Sequence, residues 1–347
     1  MTVIMDEKKR IVFIANPISG TQNKKQVLQC IKERIDQSKY DCEMMLTEYA
    51  GHAIELAAKA ADEGVSIVVA VGGDGTINEI ARSLRHTSTA LGIVPCGSGN
   101  GLARHLQIPL EVKGAIDVIN EGIVECVDYG KINGIPFFCT CGVGFDAFVS
   151  LKFASSGRRG LLTYLENTLH ESLNYKPETY EIEIGDGTLK YKAFLIACAN
   201  ASQYGNNAYI APQASLSDGL MDVTVLEPFT VLDVPSLAYQ LFNKTIDQNS
   251  RIKTFKCKDM RIHRTKEGVI HYDGDPIMAG KDIEVEIVPK GINMVVNKTK
   301  QVSLPASLIQ IFSDYFDGMN ALKGDFKDRN RQLFVLNREL LRKLTKK

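Results

Sequence analysis

The sequence predicts an α/β domain built on an open parallel sheet, then an antiparallel β-sandwich domain, then a helical C-terminal extension. Three observations carry this. Up to about residue 122, short apolar runs alternate with segments of helical spacing, the order that gives a parallel sheet with helices on both faces. From about Gly122, strand-like segments outnumber helical ones, and turn dipeptides such as Asn133-Gly134 separate some of them. After Asn297, Leu304, Leu308, Ile311, Phe312, Tyr315, Phe316 and Met319 share one helical face. The expected domains are 1–122, 123–300 and 301–347, the last packing back on the first. A length of 347 residues suits about two domains.

Each element follows from local pattern. Ile11 to Ala15 is an apolar run stopped by Asn16-Pro17, a turn signal. Asn23 to Gln37 reads as a helix, with Val27, Ile31 and Ile35 at helical spacing. Cys42 to Leu46 reads as a strand and the Ala-rich segment Ala53 to Glu63 as a helix. Ser66 to Val71 is a β-branched run of a strand buried on both faces. A helix follows from Thr76, then a strand from Ala90 to Val94. In the second half, strands are expected over Ile123–Ile132, Pro136–Gly142, Tyr180–Ile184, Leu189–Ala199, Met221–Leu226, Asp259–His263, Ile283–Val288 and Met294–Asn297. Leu161 to Leu173 is a helical island among them.

Composition excludes several classes. The 41 Lys+Arg balance 41 Asp+Glu, which argues against a nucleic-acid protein coated in positive charge. With 44% hydrophobic residues the chain is not of disordered type. No stretch approaches the roughly 20 apolar residues of a membrane span, and the charged start gives no secretory signal, so a cytoplasmic location is expected. Eight cysteines form no CxxC pair and have no His at zinc spacing, which predicts reduced, mostly buried thiols. The neutral sum hides an asymmetry. Residues 323–347 carry nine Lys/Arg against three Asp/Glu, so the remaining chain is net acidic. Leu333, Leu336, Leu340, Leu341 and Leu344 share a face of this tail, a pattern that suits either an anionic membrane surface or docking on the acidic body.

Two loops carry the chemistry. Gly72-Gly73-Asp74-Gly75-Thr76-Ile77-Asn78-Glu79 follows a buried strand and opens a helix. Its glycines let backbone approach a ligand, and the N–H groups of a helix start suit phosphate. Thr76 and Glu79 have the spacing of a capping box. A carboxylate at Asp74 would repel phosphate unless a metal or a substrate proton intervenes. The second loop, Cys96-Gly97-Ser98-Gly99-Asn100-Gly101, also lies between strand and helix, and paired with the first it would build a nucleotide crevice.

These motifs resemble the diacylglycerol kinase catalytic-domain family, which includes soluble bacterial lipid kinases and is related to sphingosine and ceramide kinases. The resemblance runs from Asn16-Pro17-Ile18-Ser19-Gly20 through both glycine loops, Gly142-Val143-Gly144-Phe145-Asp146, Ala211-Pro212 and Ser217-Asp218-Gly219-Leu220 to Asp273-Gly274-Asp275. It implies a Rossmann-like, NAD-kinase/phosphofructokinase-like first domain and Mg²⁺- and ATP-dependent phosphoryl transfer to a lipid hydroxyl. By motif match, Asn16, Thr47, Gly72, Gly73, Asp74, Gly75, Thr76, Ile77, Asn78, Gly97 and Ser98 would line the ATP site. Ser215 and Leu220, by carbonyl, and Asp218, by carboxylate, would hold a structural Mg²⁺. Asp275 would be the base, in a place where the family has Glu. Asp is one methylene shorter, which sets its carboxylate about 1.5 Å back, so Asp74 is the second candidate. Gly101 and Ser98 lean toward the sphingosine and ceramide branch.

The resemblance implies a membrane-derived lipid as substrate, with peripheral membrane contact through the basic tail and homo-oligomer formation left open. An NAD-kinase-like enzyme and a non-catalytic lipid- or nucleotide-binding module are the alternatives. Lys152, Arg158 and Arg159 read as surface charge or as contacts to phosphates or lipid headgroups, His105 as a cap or packing residue, and His271 as the one histidine to test.

Overall fold

The computed structural model describes residues 8–19, 23–156, 175–230 and 232–298, with residues 328, 332 and 335–339 of the C-terminal segment; over 152–156 it describes backbone alone. The island Leu161–Leu173, Arg158, Arg159, the face from Leu304 to Met319 and most of the basic tail lie outside the described residues, as does the Lys152 side chain. Residues 335–339 are helical.

The first half alternates strand and helix as the sequence predicts. Its strands are β1 (Lys9–Ala15), β2 (Tyr40–Leu46), β3 (Ile67–Gly72) and β4 (Ala90–Pro95). Its helices are α1 (Lys24–Arg34), α2 (His52–Asp62), α3 (Asp74–Leu84), α4 (Gly101–His105) and α5 (Val112–Glu121). The strands are parallel, in the order β2-β1-β3-β4. Every residue of β3 and β4 is buried, which is why both read as unbroken apolar runs. Asn23 stands outside α1 as its cap, accepting from Lys25 N.

The second half continues with β5 (Val124–Ile132), β6 (Ile135–Phe137), β7 (Thr140–Gly144), α6 (Phe145–Ser156), β8 (Glu178–Ile184), β9 (Gly187–Ala193), β10 (Leu195–Ala199) and β11 (Met221–Leu226). After a helix over Val234–Phe242 come β12 (Ile252–Cys257), β13 (Asp259–Arg264), β14 (Gly268–Tyr272), β15 (Asp275–Ala279) and β16 (Asp282–Val295). Strands β7, β10, β11, β12, β14 and β15 form a separate antiparallel sheet in the order β12-β11-β10-β7-β14-β15. The others extend the first sheet through β16, which meets β4 in parallel at Met294 and Leu91. A core including Phe137, Val143, Ile182, Ile196, Val223, Ile262 and Ile283 fills the space between the two sheets, so this half is a sandwich.

The sandwich explains three departures from the sequence reading. The run Leu189–Ala199 is two strands, because the chain leaves one sheet for the other at Phe194. Phe194 fills the corner, 4.4 Å from the Phe145 ring. Pro136–Gly142 divides in the same way between β6 and β7. Conversely, Ile283–Val288 and Met294–Asn297 belong largely to one strand, with a register shift between Val288 and Ile292. Gly291 permits that irregularity, since a Cβ there would lie 2.3 Å from the Tyr129 ring.

Candidate active site

Parallel strands put their C-terminal ends on one edge, so the loops after β1, β2, β3 and β4 gather there. The chain leaves β1 toward β2 on one side and reaches β3 on the other, the switch point where α/β sheets open a crevice. Asn16 begins the first loop, with its N–H on Val71 O and its side chain accepting from Ile18 N. Thr47 is buried at the end of β2, donating its N–H to Ala15 O.

The helix start differs from the sequence expectation. α3 begins at Asp74 with Gly73 as its cap, so Thr76 is a first-turn residue and not the cap of a capping box. Thr76 folds over Gly72, where an added Cβ would meet it at 2.6 Å, and Glu79 accepts instead from Gly51 N at 3.2 Å. No side chain caps this helix start. Gly75 is exposed, with nothing within 4 Å of where a Cβ would sit. Backbone amides bordered by open space are what a phosphate group requires. Gly97 and Ser98 adjoin them, Ser98 being exposed. Ile77 and Asn78 offer the crevice no side chain: Ile77 is core, and the Asn78 amide is spent elsewhere.

The two glycine loops touch backbone to backbone. A Cβ on Gly97 would lie 2.7 Å from Gly73 Cα. Asp74 spans the contact: its Oδ2 accepts from Asn100 N and its Oδ1 from Gly101 N, both at 2.8 Å. This carboxylate therefore straps the second loop to the first, which is reason enough for a negative charge in a loop expected to take phosphate. The strapped loop also contacts the sandwich. Asn206 N donates to Gly99 O, and Arg104 bridges Gly99 O and Asn207 Oδ1. His105 Nδ1 accepts from Ser202 N at 3.0 Å, and burial pulls its pKa down to about 4. It is a neutral packing residue, as the sequence suggested.

A hairpin closes the site from the sandwich side. Asp273, in left-handed conformation at the β14–β15 turn, accepts from the N–H groups of Phe138, Cys139 and Thr140 and from Asn78 Nδ2 at 2.6 Å. It fastens the hairpin to α3. Arg82, one turn beyond Asn78, lies over the Tyr272 ring at 4.9 Å. Asp275 starts β15 with its side chain open to solvent, and its carboxylate takes no hydrogen bond among the described residues. Protein packed around it pushes its pKa above the ordinary carboxylate range, against the pull of Arg82 and His271. His271 is buried, with Nε2 3.1 Å from Asp146 Oδ2, which also accepts from Tyr204 OH at 3.1 Å.

The loop of Ser215, Asp218 and Leu220 lies apart from these groups. Asp218 Oδ1 accepts from Leu220 N, and Oδ2 accepts from Lys256 Nζ at 2.9 Å. Lys256 Nζ also pairs with the buried Asp222 Oδ2 at 3.1 Å. Two carboxylates against one ammonium leave one negative charge, and the donors are all oxygen. Oxygen donors are the kind a hard cation takes, but Lys256 already neutralises part of this set, and no cluster of three or more Asp, Glu, His or Cys side chains that could hold a metal occurs among the described residues. Asp128, fully buried, accepts from Gly219 N and Lys290 N and pins the loop.

Sequence reasoning missed Asp128 and Asp146, and it treated Asp273 as a turn residue. Asp146 sits in the motif Gly144-Phe145-Asp146, which marked the resemblance without suggesting a role. Nothing local marks Asp128, whose partners lie 91 and 162 residues away.

An uncapped helix start among touching glycine loops is thus tied, through Asn78 and Asp273, to a hairpin whose Asp275 carboxylate takes no hydrogen bond among the described residues. Residues 10–132 match the model of the diacylglycerol kinase catalytic domain, and residues 139–296 that of the YegS C-terminal NAD kinase beta sandwich-like domain. A Bacillus subtilis protein named diacylglycerol kinase is 28% identical over 77% of this chain and 90% of its own length. One from Staphylococcus saprophyticus is 25% identical over 77% and 89%. A crystal structure of a Bacillus anthracis diacylglycerol kinase shares the fold, with a TM-score of 0.65 at 20% identity over 84% of this chain and 98% of the other. The chain belongs to the diacylglycerol kinase catalytic-domain family of lipid kinases.

Proposed function

We propose that this protein transfers the γ-phosphoryl group of ATP to a hydroxyl group of a membrane-derived lipid, diacylglycerol or a sphingoid or ceramide-type lipid, with Asp275 as the base. The carrying observation is one of elimination. Asp74, Asp146 and Asp273 are all committed to hydrogen bonds, whereas Asp275 is open to solvent and takes no hydrogen bond among the described residues. Its raised pKa suits a group that must hold a proton in passing.

The uncapped amides at the start of α3 and the loop at Gly97 and Ser98 hold the phosphates, with Asn16 and Thr47 bordering them. The acceptor hydroxyl gives its proton to Asp275 as its oxygen forms a bond to the γ-phosphorus. The bond from that phosphorus to the β-bridging oxygen breaks, and ADP leaves. Bound Mg²⁺ would neutralise charge on the phosphate oxygens. A second, structural Mg²⁺ would be held by Ser215, Asp218 and Leu220 with Asp222 alongside. No helix among the described residues is long and apolar enough to cross a bilayer, so the lipid would be met at a membrane surface, with the basic tail as the contact.

The test is incubation with ATP and Mg²⁺ against vesicles carrying diacylglycerol, sphingosine or ceramide, and against NAD, with products read by mass spectrometry. A phosphorylated lipid that disappears with Asp275→Asn is the expected result. Phosphorylation of NAD alone, or of nothing, refutes the proposal.

A further inference from the structure

Arg82 stands on α3, one turn beyond Asn78, and is half-buried. Its guanidinium lies over the Tyr272 ring, 4.9 Å from the centroid. Tyr272 pairs with Asp275 across the β14–β15 hairpin, so both side chains stand on one face of that sheet. Ring, guanidinium and proposed base therefore meet at one corner, and the Arg82 charge reaches Asp275 without a hydrogen bond between them. Asn78 and Asp273, the polar neighbours, bind each other. Arg82 Nε is shut off from solvent without a partner, and the terminal nitrogens donate to no group among the described residues. Ile277 follows Asp275 on the same face of β15 and is 38% exposed, an apolar surface beside the polar pair. A guanidinium held by stacking, with its outer donors unspent, is suited to recognising an oxygen acceptor.

The candidate acceptor lipids differ at the place this corner can read. In a diacylglycerol with its free hydroxyl on an end carbon, in a ceramide and in a sphingoid base, the carbon next to the reacting one carries an ester, an amide and an ammonium respectively. With the hydroxyl at Asp275, that substituent lies beside the carboxylate. A carbonyl oxygen accepts from a guanidinium, whereas an ammonium has only donors and a like charge. We propose that Arg82 selects the acceptor, donating to the carbonyl oxygen of an acyl ester or amide next to the reacting hydroxyl and disfavouring a free sphingoid base. This rests on the lipid-kinase reading above, with Asp275 as base, and narrows its acceptors to acylated ones.

The test uses the full chain with ATP, Mg²⁺ and phosphatidylcholine vesicles carrying one acceptor at a time: diacylglycerol, the matching dialkylglycerol ether that lacks both carbonyls, ceramide or sphingosine. Wild type, Arg82→Met and Arg82→Lys are compared by kcat/KM within each pair, diester against diether and ceramide against sphingosine. The ratio within a pair cancels any change in Asp275 ionisation, which acts on both members alike. Wild type should favour the carbonyl-bearing member by about tenfold or more, and Arg82→Met should narrow that to within about threefold, mainly by losing rate on that member. Arg82→Lys, which keeps the charge and loses the planar fork, should fall between. An arginine that only supports the fold or tunes Asp275 would lower both members together and leave the ratio unchanged. Lipid turnover by wild type without this preference, or a preference that survives in Arg82→Met, overturns the role of Arg82 alone. Turnover of no lipid overturns this proposal and the lipid-kinase reading together.

Discussion

Replacing Asp74 by Asn separates a strut from a base. The carboxylate accepts two backbone N–H groups at 2.8 Å each, one per oxygen. An amide keeps one acceptor and turns an NH₂ toward the other N–H. The loss is two charge-assisted bonds, about 2 kcal/mol each, against one neutral bond of about 1 kcal/mol regained. The exchange costs about 3 kcal/mol, before any penalty for opposed donors. At roughly 2–4 °C per kcal/mol for a chain of this class, the melting temperature should fall by roughly 6–12 °C. Turnover should fall with it, mainly through a higher KM for ATP, because the loops separate. Gly99→Ala is the matching control. Its Cβ would lie 2.8 Å from Asp74 Oδ2, so it disturbs the strut and leaves the carboxylate in place. Thermal unfolding and steady-state kinetics on both variants read the outcome. An Asp74→Asn protein that melts like wild type while losing turnover, beside a fully active Gly99→Ala, would refute the strut and return Asp74 to the chemistry.

Asp275→Asn should lower kcat about 10²–10⁴-fold with little change in melting temperature, and Asp275→Glu should stay active; loss with Glu and retention with Asn would remove Asp275 as base. Because its pKa is raised, kcat/KM should fall on acidification through a value above the ordinary carboxylate range, and Arg82→Gln should move that limb further up, since Arg82 holds it down. His105 is depressed to about 4 in the fold, against about 6.5 unfolded. Its stabilising contribution is therefore complete above about pH 6.5 and lost as the pH falls through 4, up to about 3 kcal/mol. Urea midpoints of wild type and His105→Gln at pH 7 and pH 4.5 should diverge at the first and converge at the second. Asp273→Asn leaves at least one of four donors unmatched at a partly buried turn and should cost about 2–4 kcal/mol, read by denaturant unfolding; an unchanged midpoint would show that the hairpin is held by other contacts.

The parallel sheet was legible because its strands are buried on both faces and its helices are amphipathic, two patterns that local sequence records. The sandwich was less so. Phe194 reads as one more apolar residue in Leu189–Ala199, yet the sheet changes there, and only the corner formed with Phe145 reveals why. β14 and β15 were hidden because Val269, Ile270 and Ile277 lie among polar, Gly and Pro residues that read as turn. At the site, the loops were plain from their glycines, but the roles of their polar residues were not. Asp74 invited a catalytic reading because its partners, the amides of residues 100 and 101, carry no side-chain signature. Asp273 looked like half of a turn dipeptide because Asn78 is 195 residues away.

Glycine against glycine leaves no side chain between the two loops, so apolar packing cannot set their spacing. Something polar must, and it must be strong enough to hold a five-residue helix, α4, that is too short to persist alone. Asp74 does this from one side and the sandwich from the other, through Ser202 on His105 and Asn207 on Arg104. The two glycine loops are thus shaped by both halves of the chain, while the hairpin bearing Asp275 is tied to α3 through Asp273 and Asn78. The glycine loops and the hairpin of the proposed base share one hydrogen-bonded seam. On the proposed mechanism, a base held there serves an in-line transfer only if the acceptor is brought to it.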